Sequence, residues 1–74
     1  MNAFATLSNL SWALNNIYSD DDHNRIEARQ IIVDLGLAEY PEFGEHNDSD
    51  RANEIIRETI ERRARLNGYS AYMD

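Results

Sequence analysis

The chain has 74 residues, fourteen acids against seven arginines for a net charge of −7, and no cysteine. That length sets one domain over 1–74, and a domain this small buries only about 60% of its unfolded surface, which leaves little margin of stability. Disulfides and thiolate zinc sites are excluded, no run approaches the roughly 20 apolar residues of a membrane span, and a hydrophobic content of 42% is enough for a folded core.

Charge is unevenly placed. Residues 1–17 carry none, residues 18–50 carry ten acids and two arginines for a net of −8, and residues 51–74 carry five arginines and four acids for a net of +1. The opening stretch "MNAFATLSNLSWALNN" lacks the basic n-region of a secretory signal, so a cytoplasmic protein is expected.

The first predicted helix covers about 6–18. Leu7, Leu10, Leu14 and Ile17 recur at helical spacing, with Phe4 and Tyr18 flanking the stripe, and Thr6 or Ser8 is a suitable cap. Trp12 stands off this stripe, about 140° from Leu7, among Ser8, Ser11, Asn15 and Asn16. A tryptophan on a polar face is either covered by a neighbouring element or offered to a partner.

The second helix is expected over about 20–35. Ser19 or Asp20 serves as N-cap, Asp21 and Asp22 suit the first turn, and Gly36 sits where a left-handed C-terminal residue belongs. Ile26, Ala28, Ile31, Ile32, Val33 and Leu35 cover more than half its circumference. His23, Glu27, Gln30 and Asp34 form the polar strip.

Between the second and third helices lies an acidic connecting loop, 37–48. It contains most of "EYPEFGEHNDSD", with acids at Glu39, Glu42, Glu45 and Asp48, and Asp50 close behind. Pro41 and Gly44 break helix there, leaving room for a short helical turn near 37–40 or 42–45, and Tyr40 and Phe43 are expected to anchor the connection on the core. In extended geometry, steps of three residues are about 9–10 Å, which would line the acids up as one negative ridge.

The third helix is expected over about 49–67, capped by Asp48 or Ser49 and ended by Gly68. Ala52, Ile55, Ile56, Thr59, Ile60 and Leu66 make its expected buried face. Glu58–Arg62 and Glu61–Arg65 are i,i+4 pairs in the favourable order. The tail "GYSAYMD" carries two tyrosines able to dock on the bundle. With no strand pattern and no repeat, the expected fold is all-α, a small three-helix bundle.

Sites with a recognisable chemistry are hard to find. Asp20, Asp22 and Asn24 match the first ligands of an EF-hand loop, but Arg25 stands where its glycine belongs and Ile31 where its glutamate belongs. His23 and Glu27 share a helix face, two groups where a catalytic zinc needs three. There is no glycine-framed serine and no phosphate loop, and no pair of carboxylates marks a cleft. These patterns imply no metal, no cofactor and no catalytic residues. A helix-turn-helix reading would rest on Arg51, Arg57, Arg62, Arg63 and Arg65, against a net of −8 in the segment before them.

Acids without compensating neighbours attract a basic surface and speed association with it; they also keep a small protein soluble. In size, acidity and lack of catalytic motifs the chain resembles the small acidic phage-encoded inhibitors of the anti-CRISPR and anti-restriction type. That resemblance implies a non-enzymatic inhibitor acting in the host bacterial cytoplasm. Its acidic face would block a basic nucleic-acid-binding site on a protein partner, without binding nucleic acid or membrane itself. The expected acidic contacts are Glu39, Glu42, Glu45, Asp48, Asp50, Asp20, Asp21 and Asp22, with Trp12, Tyr40 and Phe43 as apolar anchors. The alternative is a homodimeric helical module joined through the second helix or the Trp12 face.

Overall fold

The computed structural model describes residues 6–44 and 49–73. A 3-10 turn at Leu7–Asn9 runs into helix α1 (Leu10–Asn16), followed by α2 (Asp22–Asp34), a 3-10 turn at Tyr40–Phe43, α3 (Asp50–Leu66) and a last 3-10 turn at Ser70–Tyr72. The fold is therefore a small all-α three-helix bundle, with no strand among the described residues. Its radius of gyration, 11.2 Å, matches the roughly 11 Å expected of one compact domain of this length.

The core forms where the helical stripes meet. Leu10, Ala13, Leu14 and Ile17 of the first segment pack with Ala28, Ile31 and Ile32 of α2, and Ile60 and Ala64 of α3 close the other side. Phe43 and Leu37, from the connection between α2 and α3, fill the centre. The tail is docked through Tyr69 and Met73, which pack on the core, and Ser70–Tyr72 lies against Leu7–Asn9, while the Tyr72 side chain is exposed.

Helix ends follow local chemistry, with small shifts from the expected bounds. The first segment begins as a tight turn, so regular α-helix covers only Leu10–Asn16 of the expected 6–18. The N-cap of α2 is Asp21, not Ser19 or Asp20: its side chain accepts from Asn24 N at 2.9 Å, while Ser19 Oγ accepts from Asp21 N at 3.1 Å and holds the preceding turn. Ser49 caps α3, accepting from Ala52 N at 3.2 Å. Both α2 and α3 end in a Schellman arrangement. Gly36 (φ 75°) and Gly68 (φ 82°) adopt the left-handed conformation, and Leu37 N donates to Ile32 O and Tyr69 N to Ala64 O.

Three apolar residues expected inside lie outside. Ile26, Ile55 and Leu66 are all exposed, Leu66 at 84%. On α3 the buried line runs Ile56, Ile60, Ala64, and Ile55 and Leu66 sit about 120–140° away from Ile60. A helix packed from one side buries a narrow stripe, and the expected face was too wide. The Glu58–Arg62 and Glu61–Arg65 pairs also do not close: among the described residues the ion pairs are His23–Glu27, Arg25–Asp22, Arg51–Glu54 and Arg63–Glu42.

Candidate protein-binding surface

The turn 17–21 between α1 and α2 leaves main-chain carbonyls at the end of an uncharged helix. Two arginines of α2 answer them. Arg25 Nη1 donates to Ser19 O at 3.0 Å and its Nη2 to Asp22 Oδ1 at 2.7 Å. One turn on, Arg29 Nε donates to Ile17 O at 2.8 Å. The Arg29 guanidinium lies between two rings, 5.1 Å from the centroid of Tyr18 and 5.0 Å from that of Phe43. Burial holds its pKa below the ordinary arginine value, and its Nη2 is buried without an acceptor. These are the two arginines of residues 18–50. Both brace the α1–α2 connection, and Arg25 also pairs with the exposed Asp22.

Phe43 anchors the connection on the core, as expected, and is therefore not available as a surface anchor. It is 2% exposed and part of the core, where the ring supports Arg29 while its carbonyl accepts from Tyr18 Oη at 2.9 Å. Tyr40 and Trp12 remain accessible, at 49% and 39%. Tyr40 Oη donates to Gln30 Oε1, and Gln30 Nε2 donates to Asp34 Oδ1 at 2.7 Å. Glu39 is thus followed by a fixed ring whose hydrogen-bond chain ends on another exposed acid, Asp34. Trp12 shares an open cleft of about 270 Å³ with Asn9, Glu27 and Ile31, on the α1–α2 side of the bundle.

Over its described part, 39–44, the expected acidic ridge is not an extended strand. Residues Tyr40–Phe43 coil into a 3-10 turn, and Glu42 folds back to accept from Glu39 N at 2.7 Å. Glu42 also closes a 2.8 Å ion pair with Arg63, whose other nitrogen donates to Leu37 O at 3.0 Å. The Arg63 hydrogen bond and then that from Glu39 N hold the Glu42 carboxyl below the usual range, and Glu42 raises Arg63 in turn. Glu42 is therefore a structural acid. Glu45 and Asp48 lie outside the described residues.

The remaining acids fall into two groups. Glu39 lines an open cleft of about 580 Å³ with Val33, Gly36, Leu37, Ala38, Glu42 and Arg63. Asp50 and Glu54 line a second, of about 400 Å³, with Tyr18, Asn53 and Arg57. Tyr18 leads directly into the turn that carries Asp20, Asp21 and Asp22, all exposed. Asp34 and Glu54 were not singled out from the sequence as contacts. The polar strip of α2 already carried Asp34; the nearness of Glu54 to Tyr18 is visible only in three dimensions.

Metal and DNA readings gain nothing from this geometry. His23 Nε2 and Glu27 Oε1 are 2.8 Å apart, and among the described residues no three His, Asp or Glu side chains converge on a metal position. Of the α3 arginines, Arg63 is committed to Leu37 and Glu42, Arg51 approaches Glu54 at 3.7 Å, and Arg57 is half-buried with its Nε lacking an acceptor. Arg62 and Arg65 are left, well short of a basic footprint. Among the described residues, no helix is long and apolar enough to cross a membrane. No protein-family model, curated protein or solved structure matches the chain.

Proposed function

We propose that the protein is a non-enzymatic binding protein whose acidic surface docks on a basic surface of a protein partner. The observation that carries this reading is the use of Arg25 and Arg29 to brace the α1–α2 connection. Arg25 serves Ser19 O and Asp22, and Arg29 serves Ile17 O, so among the described residues the exposed acids Asp20, Asp21, Asp34, Glu39 and Asp50 form no ion pair with an arginine of their own segment. Such a field attracts a basic groove and speeds encounter. Tyr40, beside Glu39, supplies an accessible aromatic anchor, and Trp12 a second on α1. A basic nucleic-acid-binding site of a bacterial defence or nucleic-acid-handling complex has the matching charge, and its blockade is the action that the resemblance to phage inhibitors implies.

The test is a pull-down from nuclease-treated bacterial lysate, with the native protein beside a variant carrying Asp20→Arg, Glu39→Arg and Asp50→Asn. Glu42 is left intact because it holds the fold. Capture of a nucleic-acid-binding complex that weakens with salt and disappears in the variant supports the proposal. Equal capture by both proteins, with circular dichroism showing both folded, overturns it.

A further inference from the structure

On the solvent side of α3, two apolar side chains are left uncovered among the described residues. Ile55 and Leu66 are exposed, and their eleven-residue spacing returns them to within about 20° of one face, three turns apart. Thr59 and Arg62 fall between them, so that 55, 59, 62 and 66 follow the alternating four-three spacing of a coiled-coil seam. The Thr59 hydroxyl donates to Ile55 O at 2.9 Å and is already satisfied within the helix. Arg62 has a long aliphatic stem that can cover apolar surface while its charge stays at the edge.

The charges beside the seam say what fits it. Glu58 and Arg62 are exposed, one turn apart, and do not pair with each other. Set two copies of α3 side by side in parallel, and Glu58 faces Glu58 and Arg62 faces Arg62. Set them antiparallel about a two-fold axis midway between residues 60 and 61, and Ile55 of one copy meets Leu66 of the other. Thr59 then meets Arg62, and Glu58 comes beside Arg62 and Arg65 of the second copy. Opposite charges meet twice by symmetry. We infer that α3 is a self-association face, on which a second copy of this chain docks antiparallel, with Ile55 against Leu66 and Glu58 against Arg62. This pairing is independent of the acidic-surface reading, because it uses none of Asp20, Glu39 or Asp50. An interface resting on two apolar side chains per copy is small, so the dimer belongs to the weak, concentration-dependent class.

The absence of cysteine makes the geometry directly testable. Ile55→Cys and Leu66→Cys are made as separate proteins; both positions are exposed, and circular dichroism checks the fold. Under a glutathione redox buffer, the mixture of the two should form a disulfide-linked dimer containing one of each, and each alone should form at least tenfold less. In sedimentation equilibrium the native protein should dimerise with rising concentration. Leu66→Glu should weaken this at least tenfold, Glu58→Arg at least threefold, and the exchange Glu58→Arg/Arg62→Glu should restore it. A native protein that stays monomeric up to about 1 mM overturns the inference. So does homotypic cross-linking of Ile55→Cys as fast as the mixture, or a dimer untouched by Leu66→Glu.

Discussion

Truncating Arg29 to alanine removes more than a surface charge. The hydrogen bond to Ile17 O has a charged donor, a kind worth about 1.5–3 kcal/mol. Stacking on Tyr18 and Phe43 adds roughly 0.5–1 kcal/mol per ring at a partly desolvated site. Against this, the truncation relieves a guanidinium that is partly desolvated and has one nitrogen without an acceptor, a relief of about 1 kcal/mol. The net expected loss is about 1.5–4 kcal/mol, a large share of the total for a domain whose stability scales as roughly 0.05–0.15 kcal/mol per residue. In urea, with a slope of about 1 kcal/mol/M for a protein this small, the midpoint should fall by about 1.5–4 M. Arg29→Met keeps the stem between the rings and removes the unsatisfied nitrogen, so its loss should be nearer 1 kcal/mol. Unfolding is followed by circular dichroism and by Trp12 fluorescence, which should give coincident transitions. Since the acceptors are a carbonyl and two ring faces, added salt should leave the difference between native protein and variant unchanged. An Arg29→Ala midpoint within about 0.3 M of the native value would refute the reasoning.

Glu42 should contribute a pH-dependent increment. Its folded pKa lies below its unfolded one, so the stability is present above the ordinary glutamate value of about 4.3 and is lost as pH falls through the lowered folded value. The pair is more than a third exposed, so the amount is held to about 1 kcal/mol or less; Glu42→Gln should remove that part of the acid sensitivity in urea titrations run at several pH values. Asp21→Ala should cost about 1 kcal/mol as loss of a cap, while Asp20→Ala should stay within about 0.5 kcal/mol, and equal effects would return the cap to the earlier residue. Ile60→Ala should cost about 2–5 kcal/mol and Leu66→Ala less than about 0.5 kcal/mol at concentrations where the protein is monomeric, although both are aliphatic residues of one helix.

The three helices were legible because each signal is local. Apolar spacing, a capping aspartate or serine, and glycines placed to turn left-handed all act within a few residues, and Gly36 and Gly68 stand where they were expected. The width of a buried face is not local. Ile55 and Ile56 have the same side chain and adjacent positions, yet only Ile56 packs on the core, because the bundle touches α3 from one side. Phe43 carries two expectations in the sequence, a core anchor for the connection and an apolar contact for a partner; at 2% exposed it meets the first and not the second, because its ring lies over Arg29. The acidic surface was legible as composition, but the sorting of Glu42 into structure and Glu39 into surface depends on Arg63, 24 residues away from Glu39 and in another helix.

The internal arginines also bear on which acids of the surface stay unpaired. Ser19 N answers the last carbonyl of α1, Asn16 O, and the carbonyls of Ile17 and Ser19 just past the helix are left to Arg29 and Arg25. Lysine offers a single ammonium point, whereas the arginine fork can donate to a carbonyl and still lie flat on a ring or reach a carboxylate. Arg25, Arg29 and Arg63 each do two of these things at once. In a domain with so little apolar core, those cross-connections substitute for missing burial. Their consequence is positional: held at these carbonyls, Arg25 reaches Asp22 and Arg63 reaches Glu42, while Arg29 pairs with no acid among the described residues. The negative charge of residues 18–50 is set by ten acids against two arginines; the fold decides which of those acids stay unpaired, and the proposed partner would read that arrangement. Loss of Arg29 should therefore weaken partner binding only as far as it unfolds the protein, whereas loss of Glu39 should weaken binding and leave the unfolding midpoint where it was.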